Sequence, residues 1–224
     1  MFLTTPAAET IQWRQTASTS IASIVLNDVK TWINRPVEDN FWDEETTTLI
    51  LTAQRAIEAH CQMTLSTSTW VGAMSKFYDR FRINKRPFLS VEGISYVEAD
   101  TGEIKTLSPS LYQWGPINQM CGQIARGDGG DWPNTASRLD AVRITIKTGF
   151  VAIDGVTPEL PVEVMHALKM TVSELDGSRG DEDGTNGGGG SKTVYAMKQN
   201  RSGYLGGPIR DLLAPYAYAS VFAV

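Results

Sequence analysis

The chain has 224 residues, 42% hydrophobic and 20% charged, enough apolar material for a packed core and too much for a disordered chain. Twenty Lys and Arg against 25 Asp and Glu give a net charge of −5, which argues against a protein that wraps nucleic acid through phosphate contacts. Two cysteines, Cys61 and Cys121, make no disulfide framework and read as reduced thiols in a cytosolic setting, and two histidines, His60 and His166, leave little for zinc or imidazole chemistry.

Residues 1–8 lack a basic start and a continuous apolar stretch, so no signal peptide is expected. No segment approaches the roughly 20 apolar residues of a membrane-spanning helix. The first predicted element is a short helix from Leu26, with Asn27 as N-cap and Val29, Trp32 and Ile33 at helical spacing. It should end at Arg35-Pro36, because a residue before proline avoids the α region. A longer helix follows over 42–62. Trp42, Leu49, Ile50, Ala53, Ala56, Ile57 and His60 form its apolar stripe, and Asp43, Glu44 and Glu45 complement the dipole of its first turn.

From Leu65 to Phe150 the texture is that of β-structure. Strands are expected over 67–77, containing Trp70, and over 87–99, with Val91, Ile94, Tyr96 and Val97 as apolar members. Asp100-Thr101-Gly102 turns the second into a hairpin with 104–107. Tyr112 to Trp114 and Gln123 to Ala125 are weaker strands. Val142, Ile144 and Ile146 alternate with Arg143, Thr145 and Lys147 in the last. A helix is expected over 158–176, with Pro161 in its first turn and Val164, Leu168, Val172 and Leu175 on one face.

The composition of 177–191, with its run Gly187 to Gly190, is that of a flexible leash. The tail Lys192 to Val224 holds four basic residues and one acidic, net +3, which leaves −8 for everything before it. Its stretch from Pro208 to Phe222 is apolar and must bury, either back on its own domain or in a partner.

Several motif-like strings do not hold. Gly187 to Thr193 lacks both glycines of a phosphate loop, which would stand at Asn186 and Ser191. Asp181-Glu182-Asp183-Gly184 opens like a calcium loop, but Lys192 occupies the position of its bidentate glutamate. Arg-Gly-Asp occurs at 126–128 and 179–181 in glycine-rich contexts where chance accounts for it. His60 and adjacent Cys61 point in different directions on a helix and cannot easily share a metal ion. No Gly-x-Ser-x-Gly string marks a nucleophile.

The colinear order of features resembles the head-tail connector (adaptor) proteins of tailed phages and gene transfer agents. The matching strings are Leu26-Asn27-Asp28-Val29-Lys30-Thr31-Trp32-Ile33, the second helix around Leu49 to Glu58, Thr69-Trp70, Arg86-Pro87-Phe88-Leu89-Ser90-Val91, Trp132-Pro133, the strand Val142 to Phe150, and the ending Leu212-Leu213-Ala214-Pro215-Tyr216. The chain departs from the pattern at 179–190, where an acidic, glycine-rich stretch replaces the usual closing Arg-Glu, and after Tyr216.

The resemblance implies an α+β fold, a small helical bundle with an inserted β-rich segment and an extended C-terminal tail. Its expected divisions are 1–64 helical, 65–150 β-rich, 151–178 bundle helix, 179–192 linker and 193–224 portal-docking tail. It implies a virion structural protein rather than an enzyme, with no catalytic residue, metal or cofactor. Such adaptors form a homo-oligomeric ring, typically of twelve copies, beneath the portal protein. A tail-side connector or stopper binds below, DNA only passes through the channel during ejection, and no membrane is a partner. Assembly would take place in the host cytoplasm, and the finished position is the head-tail interface. The portal-binding residues expected are Tyr204, Pro208, Ile209, Arg210, Leu212, Leu213, Pro215, Tyr216, Tyr218, Val221 and Phe222. Two rival classes remain. A carbohydrate- or host-surface-binding module would expose Trp70, Trp114 and Trp132 together, and a small hydrolase would place His60 or His166 in a cleft.

Overall fold

The computed structural model describes residues 11–117, 120–128, 130–152, 154–155, 157–177 and 205–217. The chain has an α+β fold that divides into a β unit, Met1–Thr19 with Thr67–Gly149, and a helical unit, Ser20–Ser66 with Phe150–Val224. The β-rich segment is therefore inserted in the helical one, and residues 11–19 belong to the β unit.

Among its described residues the β unit holds eight strands: β1 (Gln12–Ser18), β2 (Ser68–Met74), β3 (Arg80–Ile83), β4 (Phe88–Val97), β5 (Ile104–Thr106), β6 (Tyr112–Pro116), β7 (Gly122–Arg126) and β8 (Val142–Thr148). A five-stranded antiparallel sheet runs β1-β2-β8-β4-β5, and a three-stranded one runs β3-β7-β6. The strand read most clearly from sequence, β8, lies in the middle of the larger sheet. Its Val142, Ile144 and Ile146 are fully buried, in one core with Met74, Phe81, Ile83, Ile94 and Ile124. At the expected hairpin, Gly102 takes φ +71°, a left-handed conformation that favours glycine, and Gly102 N–H donates to Glu98 O at 3.0 Å.

Strands β1 and β3 were not expected. β1 is an edge strand with only Trp13 half-buried, so its sequence carries no alternation. Trp13 pairs with Gly72 across the edge, and a Cβ on Gly72 would lie 2.7 Å from both the Trp13 ring and Ile11. The bare glycine lets the ring cover the sheet. Gly122 serves the same purpose on β7, where a side chain would run into the ring of Phe88. β3 is only four residues long, with Phe81 and Ile83 inward and Arg80 and Arg82 outward.

The helical unit holds α1 (Ala22–Trp32), α2 (Asp43–Cys61), α3 (Val162–Gly177) and a short α4 (Gly207–Leu213). α1 begins four residues before Leu26, because Ile21, Ala22, Val25 and Val29 make a continuous buried stripe. Asn27 is therefore inside the helix, and the residue before it, Ile21, makes no side-chain cap. The stop is Asn34, at φ +57°, with Arg35 N–H donating back to Lys30 O at 2.8 Å. That is a left-handed C-terminal cap, and Pro36 only follows it. α2 buries Thr46, Leu49, Ile50, Ala53, Ile57 and Cys61, while Ala56 and His60 are half-buried. α3 buries Val164, Ala167, Leu168, Thr171 and Val172. No helix among the described residues is long and apolar enough to cross a membrane.

Candidate partner-binding surfaces

The described part of the tail packs on its own unit. Leu205, Ile209 and Leu213 recur every four residues and are buried, and α4 lies against α3. The Tyr216 hydroxyl donates to Glu163 at 3.1 Å, and its ring meets the edge of Phe150 at 6.1 Å. Burial, then the Glu163 carboxylate, pushes the Tyr216 hydroxyl above the usual phenol range. Glu174, on α3, sits where a Cβ on Gly206 would be 3.0 Å from its carboxylate, and burial holds its carboxyl above the usual carboxylate range. Of the expected portal-binding residues, Ile209 and Leu213 are thus held inside the fold. Pro208 and Pro215 are exposed, and Arg210, Leu212 and Tyr216 are half-buried. Tyr204, Tyr218, Val221, Phe222 and the leash lie outside the described residues.

A second surface, not expected from sequence, lies on the α1–α2 connection. The side chain of Lys30 is 1% exposed. Its Nζ donates to Val37 O at 2.9 Å, Asp39 O at 2.8 Å and Asp43 Oδ1 at 2.6 Å. One buried ammonium therefore gathers the connection and the first residue of α2. Arg35 donates to Thr46 Oγ1 at 2.8 Å, Glu45 Oε1 at 2.9 Å and Asp176 Oδ1 at 2.7 Å, and its guanidinium lies 4.7 Å from the centre of the Trp42 ring. Between these two fixtures, Phe41 stands out at 77% exposure. Its backbone N–H is held by Asp39 Oδ1 at 2.9 Å, and its ring meets Trp42 edge-on at 4.9 Å. Glu38, Asp39 and Glu44 beside it are exposed.

The β unit presents the opposite charge. Its described residues carry eleven Lys and Arg against eight Asp and Glu, net +3, and those of the helical unit carry five against thirteen, net −8. Among the described residues, the acidity expected of everything before the tail therefore lies in the helical unit. The outward residues of the small sheet are one reason: Arg80 and Arg82 share a face with Gln123 and Gln113 through the β3-β7-β6 pairing. At the entry to β8, Asp140 bonds Arg138 and also Arg143, the latter at 2.7 Å, and these arginines hold its carboxyl down to about 2.

The three tryptophans do not make a common platform. Trp70 packs toward the core with Nε1 donating to Thr148 Oγ1 at 3.1 Å, and Lys85 Nζ covers it at 3.9 Å. Trp132 stacks on Phe77 at 4.7 Å and 7°, against the same core. Only Trp114, at 43% exposure, is largely open. His166 meets the edge of the Trp32 ring at 5.4 Å, and His60 lies half-buried in the last turn of α2. Among the described residues no group of three His, Cys, Asp or Glu side chains could hold a metal ion.

No protein-family profile matches the chain, and no curated protein matches it in sequence. Solved structures do match its fold. A chain from the neck of an empty gene transfer agent (GTA) particle, computed with C6 symmetry, superposes with a TM-score of 0.65 at 15% identity, over 95% of this chain and 98% of that one. A chain from the neck of the native particle, computed with C12 symmetry, gives 0.64 at 16% identity over the same shares. A chain from the virion of the native particle gives 0.62 at 16% identity, again over 95% and 98%. At these identities the likeness is one of fold, and it runs through both units.

Proposed function

We propose that this chain is a structural subunit of a virion neck, a head-tail connector that forms a ring beneath the portal of a phage or gene transfer agent particle and joins head to tail. The observation that carries this reading is the fold shared along nearly the whole length of chains from gene transfer agent necks, two of them computed with C6 and C12 symmetry. The colinear motifs in the sequence support it independently. Twelve copies would enclose a channel through which DNA passes, and a tail-side connector or stopper would bind below. The chain acts by assembly and not by catalysis.

The tail is the portal contact in this reading. Ile209 and Leu213 hold α4 on α3, and Pro208, Arg210, Leu212, Pro215 and Tyr216 meet the portal together with Tyr204, Tyr218, Val221 and Phe222. The test is co-purification of the full-length chain with its portal protein. Leu212→Asp with Pro215→Asp should reduce binding about tenfold or more, since charge is placed in a desolvated contact. Unchanged capture by that variant and by a chain ending at Ala217 would overturn the tail assignment.

A further inference from the structure

We infer that neighbouring copies of this chain join head to tail, with the Phe41 knob of one copy's helical unit seated on the Arg80–Arg82 face of the next copy's β unit. The inference rests on the ring reading above and names the interface that such a ring needs. Joining copies through two different patches is what closes a ring, because a self-complementary patch would stop at a dimer.

Four observations point to these patches and to a second copy as the occupant. Phe41 is 77% exposed, yet it is not a loose loop residue: Lys30 fixes the carbonyls on either side of Glu38, and Asp39 caps the Phe41 amide. A large aromatic ring held rigidly in solvent is a preformed anchor that loses little conformational freedom on binding. Its exposed neighbours Glu38, Asp39 and Glu44 are acidic, so the surface that receives it should be basic at its rim. The β unit supplies such a surface. Arg80 and Arg82 stand two residues apart on one strand, point the same way, and are joined on that face by Gln113 and Gln123. The net charges of −8 and +3 on the described parts of the two units make the pairing of unlike units attractive and that of like units repulsive.

The test uses the full-length chain in particle assembly, with the amount of the chain in purified necks as the readout and circular dichroism as the check on folding. Glu38→Lys with Glu44→Lys should lower incorporation about tenfold or more, and so should Arg80→Glu with Arg82→Glu. All four substitutions together restore opposite signs and should restore incorporation. Phe41→Ser should lower it without changing the charge. If both double variants enter necks as the wild-type chain does, this interface is refuted while the ring reading stands. Failure of the folded quadruple variant to recover would refute the pairing of these two faces. Absence of the wild-type chain from necks would overturn the ring reading and the interface together. Should Arg80→Glu with Arg82→Glu instead abolish DNA retention on filters and leave incorporation intact, the arginine face serves nucleic acid and the inference falls.

Discussion

Replacing Lys30 by methionine removes one ammonium and nothing else of comparable size. The methionine fills the same buried channel, so packing is nearly conserved. Three hydrogen bonds vanish, to Val37 O, Asp39 O and Asp43 Oδ1. Hydrogen bonds to a charged group contribute about 1.5–3 kcal/mol each, and breaking a buried ion pair from one side costs about 3–5 kcal/mol. Both figures overstate this case. Asp43 is 33% exposed, and Val37 and Asp39 are exposed residues, so water recovers part of each loss. The ammonium's own desolvation is also relieved in the variant. A loss of about 3 kcal/mol is the expected balance, which for a chain of this length lowers Tm by roughly 6–12 °C. The measurement is urea unfolding followed by circular dichroism, with hydrogen exchange read at the Phe41 amide. Exchange there should accelerate as the connection comes loose. A variant within about 0.5 kcal/mol of wild type, with unchanged exchange, would show that desolvation cancels the three bonds and that Lys30 does not organise the knob.

Three other outcomes follow from the geometry. Gly122→Ala should cost about 1–3 kcal/mol, because its methyl group enters the space of the Phe88 ring, whereas Gly93→Ala, which meets nothing within 4 Å, should stay within about 0.5 kcal/mol; equal costs would refute the close-approach argument. The Asp140 carboxyl should titrate in NMR with a midpoint of about 2, and Arg138→Ala should raise it. Because its folded value lies below the unfolded one of about 3.9, its contribution to stability is complete above pH of about 4 and is lost as the pH falls toward 2, a small effect for so exposed a pair. Leu213→Ala should cost about 2–5 kcal/mol of local stability and raise hydrogen exchange across Leu205–Ala217 while α2 stays protected; a protected tail would mean that α4 is held by something other than its buried leucines.

The elements legible in the sequence were those whose periodicity matched one buried face. α2 shows its stripe because one side of nineteen residues packs inward, and β8 alternates cleanly because only one face of a central strand is apolar. The hairpin at Gly102 was legible because a positive φ demands such a residue. β1 was hidden because an edge strand with one half-buried side chain has no pattern to read, and its role rests on a glycine in another strand. Lys30 was illegible for a related reason. A lysine buried at 1% exposure is accounted for only by two carbonyls and a carboxylate seven to thirteen residues away. The apolar character of Pro208 to Phe222 was visible, but whether α3 or a partner receives Ile209 and Leu213 is a tertiary fact, and the part Leu205 plays beside them shows only in the fold.

A ring subunit of a virion neck has one defined place in the particle. The most direct test is cryo-electron microscopy of native particles carrying the chain with an epitope tag at its N-terminus. A symmetric ring of tagged density should lie between head and tail, directly beneath the portal. Tag density elsewhere on the particle, or a neck whose rings contain no copy of the chain, would contradict it.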